Sequence, residues 1–264
     1  RTFLATEPIG KLLAKLALPT IAAQLINMLY NIVDRIYIGH IPDTGAMALT
    51  GVGVCMPLIM IITAFAALVG NGGAPRATIF MGKNKKDDAE KILANCFTMQ
   101  ILLSIILTVV LLIWNRDFLL AFGASANTIE YAASYMNIYA LGTIFVQLTL
   151  GMNAFITAQG FAKEGMLSVL IGAIANIILD PIFIFGLHMG VRGAALATVI
   201  SQCCSCVWVI SFLFGKRTTL RIRGKNMGLK AAYILPCLAL GSAIFIMQGS
   251  ESIISVCFNS SLLK

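Results

Sequence analysis

The chain has 264 residues, 59% of them apolar and 11% charged, with a net charge of +8 and a mean hydropathy of +0.90. An ordinary soluble domain carries charge on about a quarter of its residues. The composition therefore excludes that class, because no aqueous fold could bury so much apolar surface.

Cut at its charged residues, the chain falls into uncharged runs of 18 (Leu16 to Val33), 32 (Thr44 to Pro75), 24 (Ile92 to Asn115), 32 (Tyr131 to Ala162), 23 (Gly193 to Gly215) and 20 residues (Ala231 to Ser250). A further run, Gly165 to Val191, is broken only by Asp180. About 20 apolar residues cross a bilayer, so seven transmembrane helices are predicted. The two runs of 32 exceed one straight crossing and must emerge from the membrane or tilt within it.

Fifteen of the 19 Lys and Arg lie at the chain's start and between runs two and three, four and five, and six and seven; three lie in the opposite loops. The positive-inside rule then places the N-terminus in the cytoplasm of a multi-pass plasma (cytoplasmic) membrane protein. Topology thus accounts for the net charge and no nucleic-acid partner is needed. The segment Lys216 to Lys230, with six cations and no acid, is expected to touch anionic lipid headgroups.

In the first run Thr20, Gln24, Asn27, Asn31 and Asp34 fall within about 80° of helical arc. In the fourth, Tyr135, Tyr139, Thr149, Asn153 and Thr157 share a stripe if the helix is straight, Tyr135 and Asn153 being five whole turns apart. Single Asn, Gln or Thr residues commonly glue helices together. Two full stripes, one ending in a carboxylate, point instead to a lined cavity.

The next run reads Asn176-Ile-Ile-Leu-Asp180-Pro181. Asn176 and Asp180 lie one turn apart, and Pro181 lacks the N–H that would bond the Ile177 carbonyl. Hard oxygen atoms converging in this way suit Na+ or a titrating acid. The sixth run adds Thr198, with Ser201, Gln202 and Ser205 on nearby faces. The seven cysteines have no metal-ligand spacing to His or carboxylate and read as small core residues.

A repeat is also visible. Leu18-Pro19 precedes Asp34, and Leu235-Pro236 precedes Glu251, at a constant offset of 217 residues that also matches Asn31 to Gln248. Six helices per unit makes the two units parallel, related by an axis along the membrane normal. The expected organisation is an all-α polytopic membrane protein: residues 1–215 as an N-terminal six-helix lobe, 216–230 as a basic cytoplasmic linker, and 231–264 as the first helix of an incomplete C-terminal lobe. The remainder of that second lobe is expected to lie beyond this sequence. Three carboxylates at membrane depth, Asp34, Asp180 and Glu251, imply ion or proton handling.

Asn31-Ile-Val-Asp34-Arg-Ile-Tyr-Ile-Gly-His40, the Asn176 to Pro181 turn and Gly190-Val-Arg-Gly-Ala-Ala-Leu-Ala-Thr198 together resemble the multidrug and toxic compound extrusion (MATE) family, prokaryotic branch. The resemblance implies a twelve-helix antiporter of two lobes that exchanges inward Na+ or H+ for an outward organic, often cationic, drug, with no cofactor. Its cation site would fall on Asp34, Asn176, Asp180 and Thr198, with Tyr135 and Asn153 beside it. Gln24, Asn27, Asn31 and Tyr139 join the polar cavity read above. Glu251 matches an acid that some members carry on the seventh helix. Neither an enzyme nor a passive channel fits. A lipid-linked precursor flippase of related architecture and a non-transporting membrane fragment are the alternatives, and the acidic character of the buried charges argues against a basic, phosphate-binding cavity.

Overall fold

The computed structural model describes residues 6–262. Its helices are α1 (Ile9–Gly39), α2 (Gly45–Gly82), α3 (Lys86–Ala121), α4 (Ile129–Leu141), α5 (Thr143–Ala158), α6 (Ala162–Pro181), α7 (Val191–Phe214) and α8 (Ala231–Leu262). Six spans are long and apolar enough to cross a membrane, and the α4–α5 pair, bent by 58°, makes a seventh. At 38 residues α2 is about 57 Å long, well beyond the roughly 30 Å hydrocarbon layer, so its ends stand outside it. The chain is a multi-pass membrane protein, and its exposed Leu25, Leu29, Ile113, Ile253 and Phe258 belong against lipid or other apolar surface rather than water.

The fourth apolar run is not one straight helix. It breaks at Gly142, whose N–H turns back to the Tyr139 carbonyl at 3.0 Å. Glycine is the weakest helix former after proline, and here it also sets the approach of α7: a Cβ at Gly142 would come within 2.6 Å of Val199 Cγ2. The stripe from Tyr135 to Thr157 is therefore divided between two helix axes.

Helix α2 is the hub, packed by α3, α4, α5 and α8, while α1 lies chiefly on α6 and α6 on α7. Two apolar clusters fill the bundle. One joins α2, α4 and the start of α7 around Ile62, Met136 and Tyr135; the other joins α2, α3, α5 and the end of α7 around Phe155, Leu93 and Val209. Between them Gln147 Nε2 donates to the Ile62 carbonyl (2.6 Å) and Gln100 Nε2 to the Ala66 carbonyl (3.1 Å), tying α5 and α3 to successive turns of α2. A bond to a second backbone stabilises a fully buried amide that would otherwise cost a few kcal/mol.

The basic segment 216–230 is less lipid-facing than its charge predicts. Leu220 and Ile222 are buried. Arg223 Nε meets the buried Glu90 carboxylate at 2.8 Å, Arg217 reaches Glu164 at 3.4 Å, and the Gln159 side chain accepts from the Leu220 N–H at 2.8 Å. Two of its six cations are thus turned onto acids of the bundle, which a count of charge along the sequence misses. Helix α8 then runs back along α2. Gly72 abuts the Cys237 carbonyl and Gly241 the Leu68 carbonyl so closely that neither has room for a Cβ, Phe65 and Phe245 stack at 4.9 Å, and Ser252 Oγ donates to the Pro57 carbonyl at 2.9 Å.

Candidate functional site

Helix α6 carries Asn176 and Asp180 inward at its end, then loosens into a π-turn, Ile182–Gly186, just after Pro181. Helix α7 starts at Gly190 with φ of +61°, a conformation that favours glycine. Two residues into it, Gly193 lies so near the π-turn that a Cβ would stand 2.7 Å from the Phe183 carbonyl. That close approach brings Thr198 onto Asn176, whose Nδ2 donates to Thr198 Oγ1 at 3.3 Å. The glycines of the Gly190 to Thr198 motif therefore act by positioning its threonine.

Asp180 is fully buried, and neither of its oxygens has a hydrogen-bond partner among the described residues. Its carboxyl lies against that of Asp34 from α1, which is half-buried with Oδ1 equally unpartnered. Ionised carboxylates only accept hydrogen bonds, so the two can bond each other only when one holds a proton. Asn176 Oδ1 is a further buried acceptor without a donor. Excess acceptors with no donors, in an apolar interior, are a site for a cation or a proton.

A cavity of about 460 Å³ opens beside the pair and is lined by Asn27, Asn31, Asp34, Tyr135, Tyr139 and Thr198. Tyr135 and Tyr139 are buried and stack with centroids 6.1 Å apart. Asn176 and Thr198 also line an adjoining cavity of about 60 Å³. Eight of the residues predicted for the site, Asn27, Asn31, Asp34, Tyr135, Tyr139, Asn176, Asp180 and Thr198, are thereby brought together.

Three are not. Gln24 and Asn153 line a separate cavity of about 750 Å³ nearer the basic end of the bundle. The bend at Gly142 divides the stripe that a straight helix would have joined. Glu251 is exposed on α8 and lines none of these cavities. Sequence reasoning missed Tyr30, which lines two cavities and stands beside both carboxylates. Its spacing of four from Asp34 was the available signal, hidden because an aromatic in an apolar run reads as core.

Residues 19–182 match the MatE family model, more than half the chain. The chain belongs to the MatE family. Among the relatives of this MatE chain, the multidrug export protein MepA of Staphylococcus haemolyticus (strain JCSC1435) is 28% identical over 239 residues, covering 90% of this chain and 52% of MepA. A solved multidrug resistance MATE family transporter of the MOP superfamily, in an inward-facing conformation, superposes with a TM-score of 0.82 at 27% identity, over 91% of this chain and 56% of that one. A solved chain named "protein A" gives a TM-score of 0.93 at 32% identity, over 98% and 57%. The MatE chain thus spans about half the length of the proteins it matches.

Proposed function

We propose that this MatE chain supplies the ion-coupling part of a multidrug exporter, in which inward Na+ or H+ drives an organic, often cationic, drug outward across the plasma membrane. The observation that carries the reading is the Asp34–Asp180 pair: two carboxyls side by side, three of their four oxygens buried and without hydrogen-bond donors. Two adjacent charges in low dielectric repel, so the pair takes up a cation or a proton. Asn176 Oδ1 and Thr198 Oγ1 add neutral oxygens of the kind Na+ accepts. Occupancy neutralises the pair and favours a different packing of α1 on α6, the π-turn after Pro181 being the compliant element. A cationic drug in the adjoining cavity competes for the same negative charge, and that competition makes the exchange obligatory. The basic end faces the cytoplasm.

The test is drug export by cells that carry Asp34→Asn or Asp180→Asn in the protein as it is naturally made. Each change keeps shape and removes one charge. We expect export to fall at least about tenfold, on the order of 1.4 kcal/mol of lost coupling, with normal amounts of protein in the membrane. Full drug tolerance in both variants would overturn the coupling role.

A further inference from the structure

We propose that the inner half of α1 and α6 encloses a hydrated path that connects the Asp34–Asp180 pair to the basic end of the bundle, with Asn153 and Thr157 as an oxygen station along it. This rests on the reading of the two aspartates as the coupling site, and it assigns the route by which the ion leaves toward the cytoplasm.

The path is built from two helices that run side by side. On α1, Thr20, Gln24 and Asn27 continue the polar face that ends at Asp34, over 14 residues or about 21 Å. On α6 the facing side reads Gly165, Gly172, Asn176, Asp180, over 15 residues or about 22 Å. The two faces match in length and direction. The glycines leave polar atoms uncovered: a Cβ at Gly165 would stand 2.8 Å from Thr157 Oγ1 and 3.2 Å from Asn153 Oδ1, and one at Gly172 would stand 2.5 Å from Ser205 Oγ. Asn153 Oδ1 and Thr157 Oγ1 therefore lie close together beside the bare backbone of α6. Asn153 Oδ1 has no hydrogen-bond partner among the described residues.

Space follows the same line. The 750 Å³ cavity near the basic end is lined by Thr20, Gln24, Asn153, Thr157 and Gly165. It shares Asn27, Leu150 and Val169 with the 60 Å³ cavity of Gly172, Asn176 and Ser205. That one shares Tyr30, Thr198 and Gln202 with the 460 Å³ cavity at Asp34. Even the smallest has room for water and polar walls to hold it. Asn176, 1% exposed and with Oδ1 unpartnered, lines the narrow middle, so an ion or proton carried on water meets an acceptor there before reaching the pair.

The experiment uses the whole protein in membrane vesicles whose basic-end face is outward, with native cysteines replaced and Thr157→Cys introduced. A small cationic methanethiosulfonate reagent is added from that face, with Ile156→Cys as the buried neighbour off the path. We expect Thr157→Cys to react at least tenfold faster than Ile156→Cys, and Gly165→Val to slow both the labelling and ion-driven drug exchange at least fivefold. Gly165→Ala, a smaller change at the same point, gives an intermediate slowing and serves if the valine variant does not reach the membrane. Equal reactivity at 156 and 157, or exchange that ignores the residue at 165, would overturn the path while leaving the aspartate site standing. Exchange that survives Asp34→Asn and Asp180→Asn would instead overturn the coupling reading, whatever the labelling shows.

Discussion

At the scale of single residues, the site separates charge from neutral oxygen. Asp34 and Asp180 serve Na+ and H+ alike, whereas Asn176 and Thr198 matter as direct ligands only for a metal ion. Asn176→Ala and Thr198→Ala should therefore weaken the Na+ dependence of drug efflux about tenfold, since a bond to a charged group contributes roughly 1.5–3 kcal/mol, and leave efflux driven by a pH gradient nearly unchanged. Proteoliposomes with one gradient imposed and the other clamped give the measurement. Equal losses under both gradients would remove the metal cage and keep the carboxylate pair. These four residues were legible from type and spacing. Tyr30 was not, because neither its polarity nor its neighbours show in an apolar run.

At the scale of helices, glycines decide which surfaces meet. The closeness of Gly193 to the Phe183 carbonyl leaves no room for a side chain, and backbone cannot rotate away. Gly193→Val should cost about 1–3 kcal/mol by overpacking and separate Thr198 from Asn176. Gly186→Ala, with no atom within 4 Å of the new Cβ, is the matched control. Thermal unfolding in detergent should show a melting temperature lowered by several degrees for the first and nearly unchanged for the second. A drop of similar size in both would sink the account of the α7 motif. The bend at Gly142 belongs to the same class: glycine marked a weak point in the run, but the packing of Val199 against it is what a single strand of sequence cannot display.

At the scale of the whole molecule, charge sets orientation and the inward turn of segment 216–230 sets part of its stability. Lys83→Cys, in the turn after α2, should resist an impermeant thiol reagent added outside intact cells and react readily in inside-out vesicles. Labelling from outside would reverse the topology. Glu90→Ala removes the buried partner of Arg223 and should lower the melting temperature, whereas Lys225→Ala should not. Equal sensitivity would mean that the segment contributes only generic charge.

What the sequence by itself determined was whatever depends on residue type and on spacing along one helix: the membrane class, the spans, the charge bias, the family, and the turn that pairs Asn176 with Asp180. Bilayer thickness and helical period impose these locally, so they survive without knowledge of any neighbour. Tertiary structure decided what needs two chain segments at a known distance. It placed Asp34 against Asp180, moved Asn153 and Gln24 into an inner cavity, left Glu251 exposed, and folded Arg223 onto Glu90. The physical reason is that a bend of 58° or a glycine contact changes which side chains face each other without altering the composition or period of either helix.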